Sequence, residues 1–187
     1  PAGATVGESR MMAFDPKTGE TIWESPTNTT RVCYSVPCVR EIADGGVELV
    51  CCNTGNGIFG MDIETGKINW ELPVFDKRCV ASPVVSGDLV LGSCGSGGGG
   101  NILVAVRAGK NPEEVFRVRS NANYVPTPIV YEGHGYLFGD KGVVSCVNLK
   151  DGKSVWRERL GTGFSGSPVC VNGNLYCMDE ELSLIHI

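Results

Sequence analysis

The 187-residue sequence has no long apolar run, no long run of like charge and only two histidines. No segment approaches the ~18 consecutive apolar residues that a membrane-spanning helix requires, so we expect no transmembrane segment. The 16 basic and 21 acidic residues are interspersed, with a net charge of −5, which argues against a nucleic-acid-binding surface. Because the histidines are few and the cysteines are scattered, zinc has no convincing ligand set and we expect no metal site.

Amphipathic helices are also missing, since no window has the apolar periodicity of a helix of useful length. The chain instead has 26 glycines and 10 prolines distributed along its length, and 42% of its residues are hydrophobic. Such punctuation favours many short strands separated by turns, and the apolar content is sufficient for one globular unit. We therefore predict an all-β fold.

A repeated motif organises the chain. The segments "DPKTGETIW" at 15–23, "DIETGKINW" at 62–70 and "NLKDGKSVW" at 148–156 each have Asp or Asn, then Gly four residues later, then Trp four residues after that. A degenerate copy at 107–116 has Phe in the aromatic position. The repeat positions are Asp15, Gly19 and Trp23; Asp62, Gly66 and Trp70; Phe116; and Asn148, Gly152 and Trp156.

A second landmark repeats with the same period, at Pro37, Pro83, Pro128 and Pro168. Three turn signals divide each period into four strand-like runs, which is typical of a β-propeller blade. In the third turn, the Asp or Asn side chain can accept backbone N–H groups and the Gly supplies a positive φ. We expect each following Trp to fill the gap between neighbouring blades, with its indole N–H bonded to a backbone group.

These residues resemble the PQQ-like β-propeller repeat family, in which each blade ends in Ala-x-Asp-x-x-Thr-Gly-x-x-x-Trp. The segments "AFDPKTGETIW" and "GMDIETGKINW" fit this motif closely, whereas "CVNLKDGKSVW" has Asn for Asp and Asp for Thr. The resemblance implies part of a seven- or eight-bladed ring, with about four four-stranded antiparallel blades in residues 1–181. The expected blades are 6–30 (partial), 35–75, 80–120, 125–161 and 165–181 (partial).

The last six residues, "LSLIHI" at 182–187, match the translation of a transposon-end sequencing adapter. We interpret them as read-through that is not native and exclude them from the predicted fold.

The adjacent pair Cys51 and Cys52, in "ELVCCNTGNGIFGMD", has two interpretations. On a strand, neighbouring side chains point to opposite faces, and a bond between neighbouring cysteines is strained. Quinoprotein alcohol dehydrogenases contain such a vicinal disulfide over the quinone, in a Cys-Cys-Asp segment. Here Asn53 replaces the Asp and no Arg follows, so we favour two buried strand residues over a cofactor-binding element.

The resemblance implies a non-enzymatic scaffold for protein–protein interaction in an exported, periplasmic bacterial protein, with partners bound through the loops at the ends of the ring. On this interpretation we expect no cofactor and no catalytic residue. One alternative is a fragment of a PQQ-dependent dehydrogenase that binds PQQ with calcium, with Cys51 and Cys52 over the quinone. Another is a sensor propeller fused to a kinase or another module.

Overall fold

The computed structural model describes residues 9–43 and 45–187, a range that contains seventeen strands and no helix. We number the five sheets as blades in chain order. Blade 1 comprises β1 (Arg10–Phe14) and β2 (Thr21–Pro26). Blade 2 comprises β3 (Cys38–Glu41), β4 (Val47–Asn53), β5 (Gly57–Asp62) and β6 (Ile68–Leu72). Blade 3 comprises β7 (Val84–Ser86), β8 (Leu89–Cys94), β9 (Ile102–Arg107) and β10 (Glu113–Val118). Blade 4 comprises β11 (Ile129–Tyr131), β12 (His134–Phe138), β13 (Val143–Asn148) and β14 (Ser154–Arg159). Blade 5 comprises β15 (Val169–Val171), β16 (Asn174–Met178) and β17 (Leu184–His186).

Each complete blade is an antiparallel meander in which consecutive strands pair. The first strands of blades 2 to 5 contact one another, β3 with β7, β7 with β11 and β11 with β15, so they form the inner edge of the array. This arrangement confirms the predicted all-β propeller architecture.

The hydrophobic core lies between blades, because each central strand buries both of its faces. Along β9, Val104 and Val106 pack toward blade 2, whereas Leu103 and Ala105 pack toward blade 4. All four side chains are fully buried, which explains why the strand is almost continuously apolar in sequence. Stacking of neighbouring blades therefore supplies the core of this fold.

The third turn of a blade is built as its residues predict. In blade 1, the Oδ1 atom of Asp15 accepts the N–H groups of Lys17 and Thr18 at 2.7 and 3.0 Å. In blade 2, Asp62 accepts from Glu64 and Thr65 at 3.0 and 2.8 Å. The glycines that close these turns, Gly19, Gly66 and Gly152, have φ values of +75°, +70° and +69°. The turn chemistry therefore fixes where the outermost strand begins.

Three details differ from the sequence-based expectations or lie beyond the described part of the chain. The sequence "GHG" at 133–135 predicts a turn centred on His134, but the hairpin of blade 4 turns at Glu132 and Gly133, so His134 lies on β12. Blade 5 has a third strand, β17, inside the segment that we interpret as read-through. It pairs with β16 in antiparallel fashion. The sequence "DGG" at 44–46 also predicts a turn. Its Asp44 and residues 6–8 of the first predicted blade fall outside the described residues.

No helix with the length and apolarity to span a membrane is found in the described ranges.

Candidate functional site

Two of the repeated aromatic residues join one blade to the next. The indole N–H of Trp23 donates to the carbonyl oxygen of Ile63 in blade 2 at 2.9 Å. Its ring covers Gly66, where an added Cβ would lie 2.4 Å from Cε3 of the indole. Phe116 covers Gly152 of blade 4 in the same way, also at 2.4 Å. Gly66 and Gly152 therefore provide the flat surface on which the preceding blade's aromatic ring packs.

Trp70 and Trp156 do not pack on a turn glycine of the next blade. The indole N–H of Trp70 donates to Oε1 and Oε2 of Glu48 in its own blade, at 2.9 and 3.1 Å, so the expected backbone partner is wrong at this position. The ring lies against Gly60, where a Cβ would come within 2.2 Å of Nε1. Trp156 packs beside Tyr136, with ring centroids 6.2 Å apart, in the core between blades 4 and 5.

Glu48 also forms a buried ion pair. Its Oε1 atom lies 2.8 Å from a guanidinium nitrogen of Arg40, and the two residues are 3% and 9% exposed. The Nε–H of Arg40 donates to the same oxygen at 2.9 Å. The carboxylate is therefore held by Arg40 and Trp70 together. The repeat motif contains neither charged residue, so sequence reasoning missed this cluster.

The structure separates the adjacent cysteines. Cys51 lies on the blade 1 side of β4, with its Sγ 4.0 Å from the sulfur of Met61. Cys52 lies on the blade 3 side, against Gly92. Both are buried and unpaired, and burial raises the pKa of Cys51 to about 12 and that of Cys52 well above its ordinary value. The two sulfurs point into separate cores, so these residues do not fit a vicinal disulfide over a quinone.

The side chains of the kinds that bind metal ions also lie apart. Across residues 9–43 and 45–187, no three His, Cys, Asp or Glu side chains are grouped so that they could hold a metal ion. The glycine-rich segment 95–100 joins β8 and β9 as a hairpin loop, and Lys77 donates to the carbonyl oxygens of Gly99 and Gly100 at 3.2 and 2.8 Å. The carbonyl groups of this loop therefore bind the Lys77 side chain, and the loop leads into strand β9.

The segments that join consecutive blades gather at one end of the array, together with the hairpins between the second and third strands. We call this end the linker face; its linkers are residues 27–37, 73–83, 119–128 and 160–168. A cleft of about 530 Å³ opens there between blades 2 and 3, lined in part by Lys77, Arg117 and Arg119. A smaller cleft of about 190 Å³ lies beside the glycine-rich loop, Asp140 and Lys141. The linker face therefore contains two clefts lined in part by charged side chains.

A ladder of hydrogen bonds connects the linkers. The N–H of Val36 donates to the hydroxyl of Ser82 at 3.2 Å, and the N–H of Ser82 donates to the hydroxyl of Thr127 at 3.1 Å. The N–H of Thr127 then donates to Ser167 at 3.0 Å. Each of these residues directly precedes a repeated proline. The hydroxyl residue before three of the four prolines was a sequence signal that could have revealed this ladder.

One linker exposes a row of apolar side chains. Val32, Tyr34 and Val36 are 46%, 61% and 65% exposed, whereas the alternate residues Cys33 and Ser35 turn partly inward. The guanidinium of Arg78 lies 5.8 Å from the centroid of the Tyr34 ring. We call Val32, Tyr34 and Val36 the linker patch. It places aromatic, aliphatic and arginine groups together on the surface.

Comparisons with known proteins agree with the fold. A solved structure of BamB from Moraxella catarrhalis superposes with a TM-score of 0.67 at 17% identity, over 97% of this chain and 53% of that one. Among curated proteins, the outer membrane protein assembly factor BamB of Moranella endobia (strain PCIT) is 24% identical over 183 residues, covering 90% of this chain and 47% of that protein.

A second curated relative is the dehydrogenase subunit of the quinone alcohol dehydrogenase of Acetobacter aceti. It is 28% identical over 154 residues, covering 82% of this chain and 17% of that protein. The chain therefore spans less than half the length of either curated relative. The family profile described as "Outer membrane protein assembly factor BamB" matches residues 7–111, more than half of the chain. This chain belongs to that family of PQQ-like β-propeller repeat proteins.

Proposed function

We propose that this chain is part of a non-enzymatic scaffold that binds other proteins through its linker face, in an exported bacterial protein that works in the periplasm. The observation that carries this proposal is the linker patch. An extended segment that exposes alternate apolar side chains offers a partner a row of side-chain contacts, while hydrogen bonds from the Tyr34 and Val36 N–H groups to the next linker hold the segment in place.

The composition of the patch suits protein recognition. Tyrosine and arginine are enriched at protein interfaces, and a contiguous exposed apolar group marks an interaction site more often than scattered single residues do. Arg78 beside Tyr34 gives the patch a cationic edge. A partner segment with apolar side chains and a nearby carboxylate would match this combination.

The relatives also support a role in protein interaction. The family profile and one curated relative carry the name of an outer membrane protein assembly factor, and the solved BamB structure shares the fold. We extend to this chain the interaction role and the extracytoplasmic location that this name implies.

The test is capture of partners with matched variants. Immobilised chain is incubated with a periplasmic extract of a Gram-negative bacterium, and bound proteins are identified by mass spectrometry and then purified for titration. Tyr34→Ser combined with Val36→Ser should weaken binding of the purified partner at least tenfold. Ile22→Ser on β2 is the control, because Ile22 is equally exposed, at 61%, but lies outside the patch. Equal binding by both variants would contradict the proposal.

A dehydrogenase fragment is the second candidate, favoured by the Acetobacter aceti relative. It is tested by titrating the chain with PQQ in the presence and absence of calcium. Saturable, calcium-dependent binding of PQQ would support the dehydrogenase. Binding of a protein partner without any PQQ binding would support the scaffold.

A further inference from the structure

Cys33 and Cys79 occupy the same position in two consecutive linkers, four residues before Pro37 and Pro83. The corresponding residues of the next two linkers are Tyr124 and Phe164, so a thiol occurs at this position only in the first two linkers. The linkers run side by side here, since the N–H of Tyr34 donates to the carbonyl oxygen of Cys79 at 2.8 Å. The repeat therefore places the two cysteines next to each other across adjacent blades.

The contacts between the cysteines are direct. The N–H of Cys79 donates to the Cys33 sulfur at 3.4 Å, and the hydroxyl of Thr54 lies 3.4 Å from the same sulfur. Cys79 is fully buried, whereas Cys33 is partly exposed. Both are free thiols in this structure. A disulfide needs cysteines whose main chains lie close together, and the hydrogen bonds between these two linkers bring the main chains together at Cys33 and Cys79.

We propose that Cys33 and Cys79 form a modification site: a small-molecule disulfide oxidises them to a cross-link that ties the linker before blade 2 to the linker before blade 3. Cys33 is the attacking group because it is the accessible one, and Cys79 is the resolving thiol because it is buried beside it. This inference holds whether the chain is a scaffold or part of a dehydrogenase.

The chemistry of the sulfurs agrees with these roles. Hydrogen bonding from the Cys79 side chain, with further bonds from Thr54 and the Cys79 N–H, lowers the pKa of Cys33 to about 5. The pKa of Cys79 changes in the opposite direction. The contact with Cys33 and the burial of the Cys79 side chain raise this pKa well above the ordinary range. Thiolates are the nucleophiles in disulfide exchange, so Cys33 is the one that begins the reaction.

The reaction balances in two exchanges. The Cys33 thiolate attacks one sulfur of oxidised glutathione, which forms a mixed disulfide and releases one glutathione thiolate. With Cys33 no longer anionic, the Cys79 sulfur attacks the Cys33 sulfur, and its proton passes to the second departing glutathione. Two protein thiols thus lose two protons and two electrons, and one oxidised glutathione is reduced to two thiols.

The test maps disulfides in the full chain. Reduced protein is incubated with oxidised glutathione, quenched with N-ethylmaleimide and digested with trypsin and chymotrypsin. Cleavage after Arg31 and Tyr34 separates Cys33 from Cys38, so the pairing is unambiguous. We expect a disulfide-linked pair of peptides that contains Cys33 and Cys79. Its mass should be about 2 Da below the sum of the two reduced peptides, because the disulfide has lost two hydrogens. A different pairing, such as Cys33–Cys38 or Cys51–Cys52, would overturn the proposal.

Variants separate the two roles. Cys79→Ser should stop at a stable glutathione adduct on Cys33, and Cys33→Ser should form neither the adduct nor the cross-link. Cys38→Ser is the matched control and should behave like the unchanged chain. A second measurement removes any dependence on variant folding: the unchanged chain is oxidised with and without urea. The Cys33–Cys79 link should dominate only without urea, and identical pairing mixtures in both conditions would overturn the inference.

Discussion

The indole N–H of Trp70 donates to the carboxylate of Glu48 within blade 2, whereas the indole of Trp23 reaches across to blade 2 from blade 1. The turn that would receive Trp70, in residues 107–113, is one residue longer than its equivalents. Its glycine, Gly109, has φ +148° and no atom near the Cβ position, in contrast to Gly66 under Trp23. Because this docking surface is missing, the ring packs in the core between blades 2 and 3, and Glu48 of its own blade accepts its N–H group.

Removing the Glu48 carboxylate should strongly destabilise the fold. Glu48→Ala leaves the buried guanidinium of Arg40 and the indole N–H of Trp70 without partners, and we expect a loss of about 3–5 kcal/mol in the free energy of unfolding. Urea unfolding followed by tryptophan fluorescence measures this loss. The double variant Arg40→Met with Glu48→Leu should recover most of it, because no unpaired charge remains. A double variant as unstable as Glu48→Ala would contradict this explanation.

Substitution of Gly66 should cost more than the same substitution of Gly19. Both glycines close equivalent turns with φ near +70°, so alanine costs about 1–2 kcal/mol at each from the backbone alone. At Gly66 the new methyl group would also collide with the Trp23 ring, which adds roughly 1–3 kcal/mol. The difference between the two variants in urea unfolding isolates the docking of one blade on the next.

The Gly19 variant is a close control because nothing lies within 4 Å of its Cβ position. Equal destabilisation at the two sites would mean that Trp23 contributes little to the contact between blades 1 and 2.

The hydroxyl ladder predicts a distinct result for Thr127. Thr127→Val keeps the shape of the side chain but removes the acceptor for the N–H of Ser82, so we expect a loss of about 1 kcal/mol or somewhat more. Thr127→Ser keeps the hydroxyl and should lose clearly less. Hydrogen exchange of the Ser82 amide provides a local measurement, and it should become faster only in the valine variant.

The sequence predicts the repeating elements well because they depend on local chemistry. Asp62 and Gly66 determine their turn within five residues of chain, and the period of the tryptophans gives the blade length. The linker contacts depend on residues more than forty positions apart, such as Cys33 with Cys79, and no local pattern reveals them. The partner of Trp70 was missed for a similar reason, since one inserted residue in a distant turn decides where its ring packs.

The last prediction concerns the reactivity of Cys33 as a function of pH. A pKa of about 5 means that Cys33 is a thiolate at pH 7, whereas an ordinary thiol is mostly protonated there. Its alkylation by iodoacetamide should therefore stay nearly constant from pH 8 down to about 6 and fall by half near pH 5. Cys51, whose pKa burial raises to about 12, should remain unreactive throughout this range.

The Cys79 side chain is the main cause of this shift, so changing it should move the profile in a known direction. Cys79→Ala removes the hydrogen bond to the Cys33 sulfur and should displace the midpoint of the alkylation profile to higher pH. Cys79→Ser retains a donor and should leave the midpoint close to its original value. If alanine and serine give the same profile, the Thr54 hydroxyl and the Cys79 N–H stabilise the thiolate by themselves. The Cys79 thiol would then have no electrostatic role at Cys33.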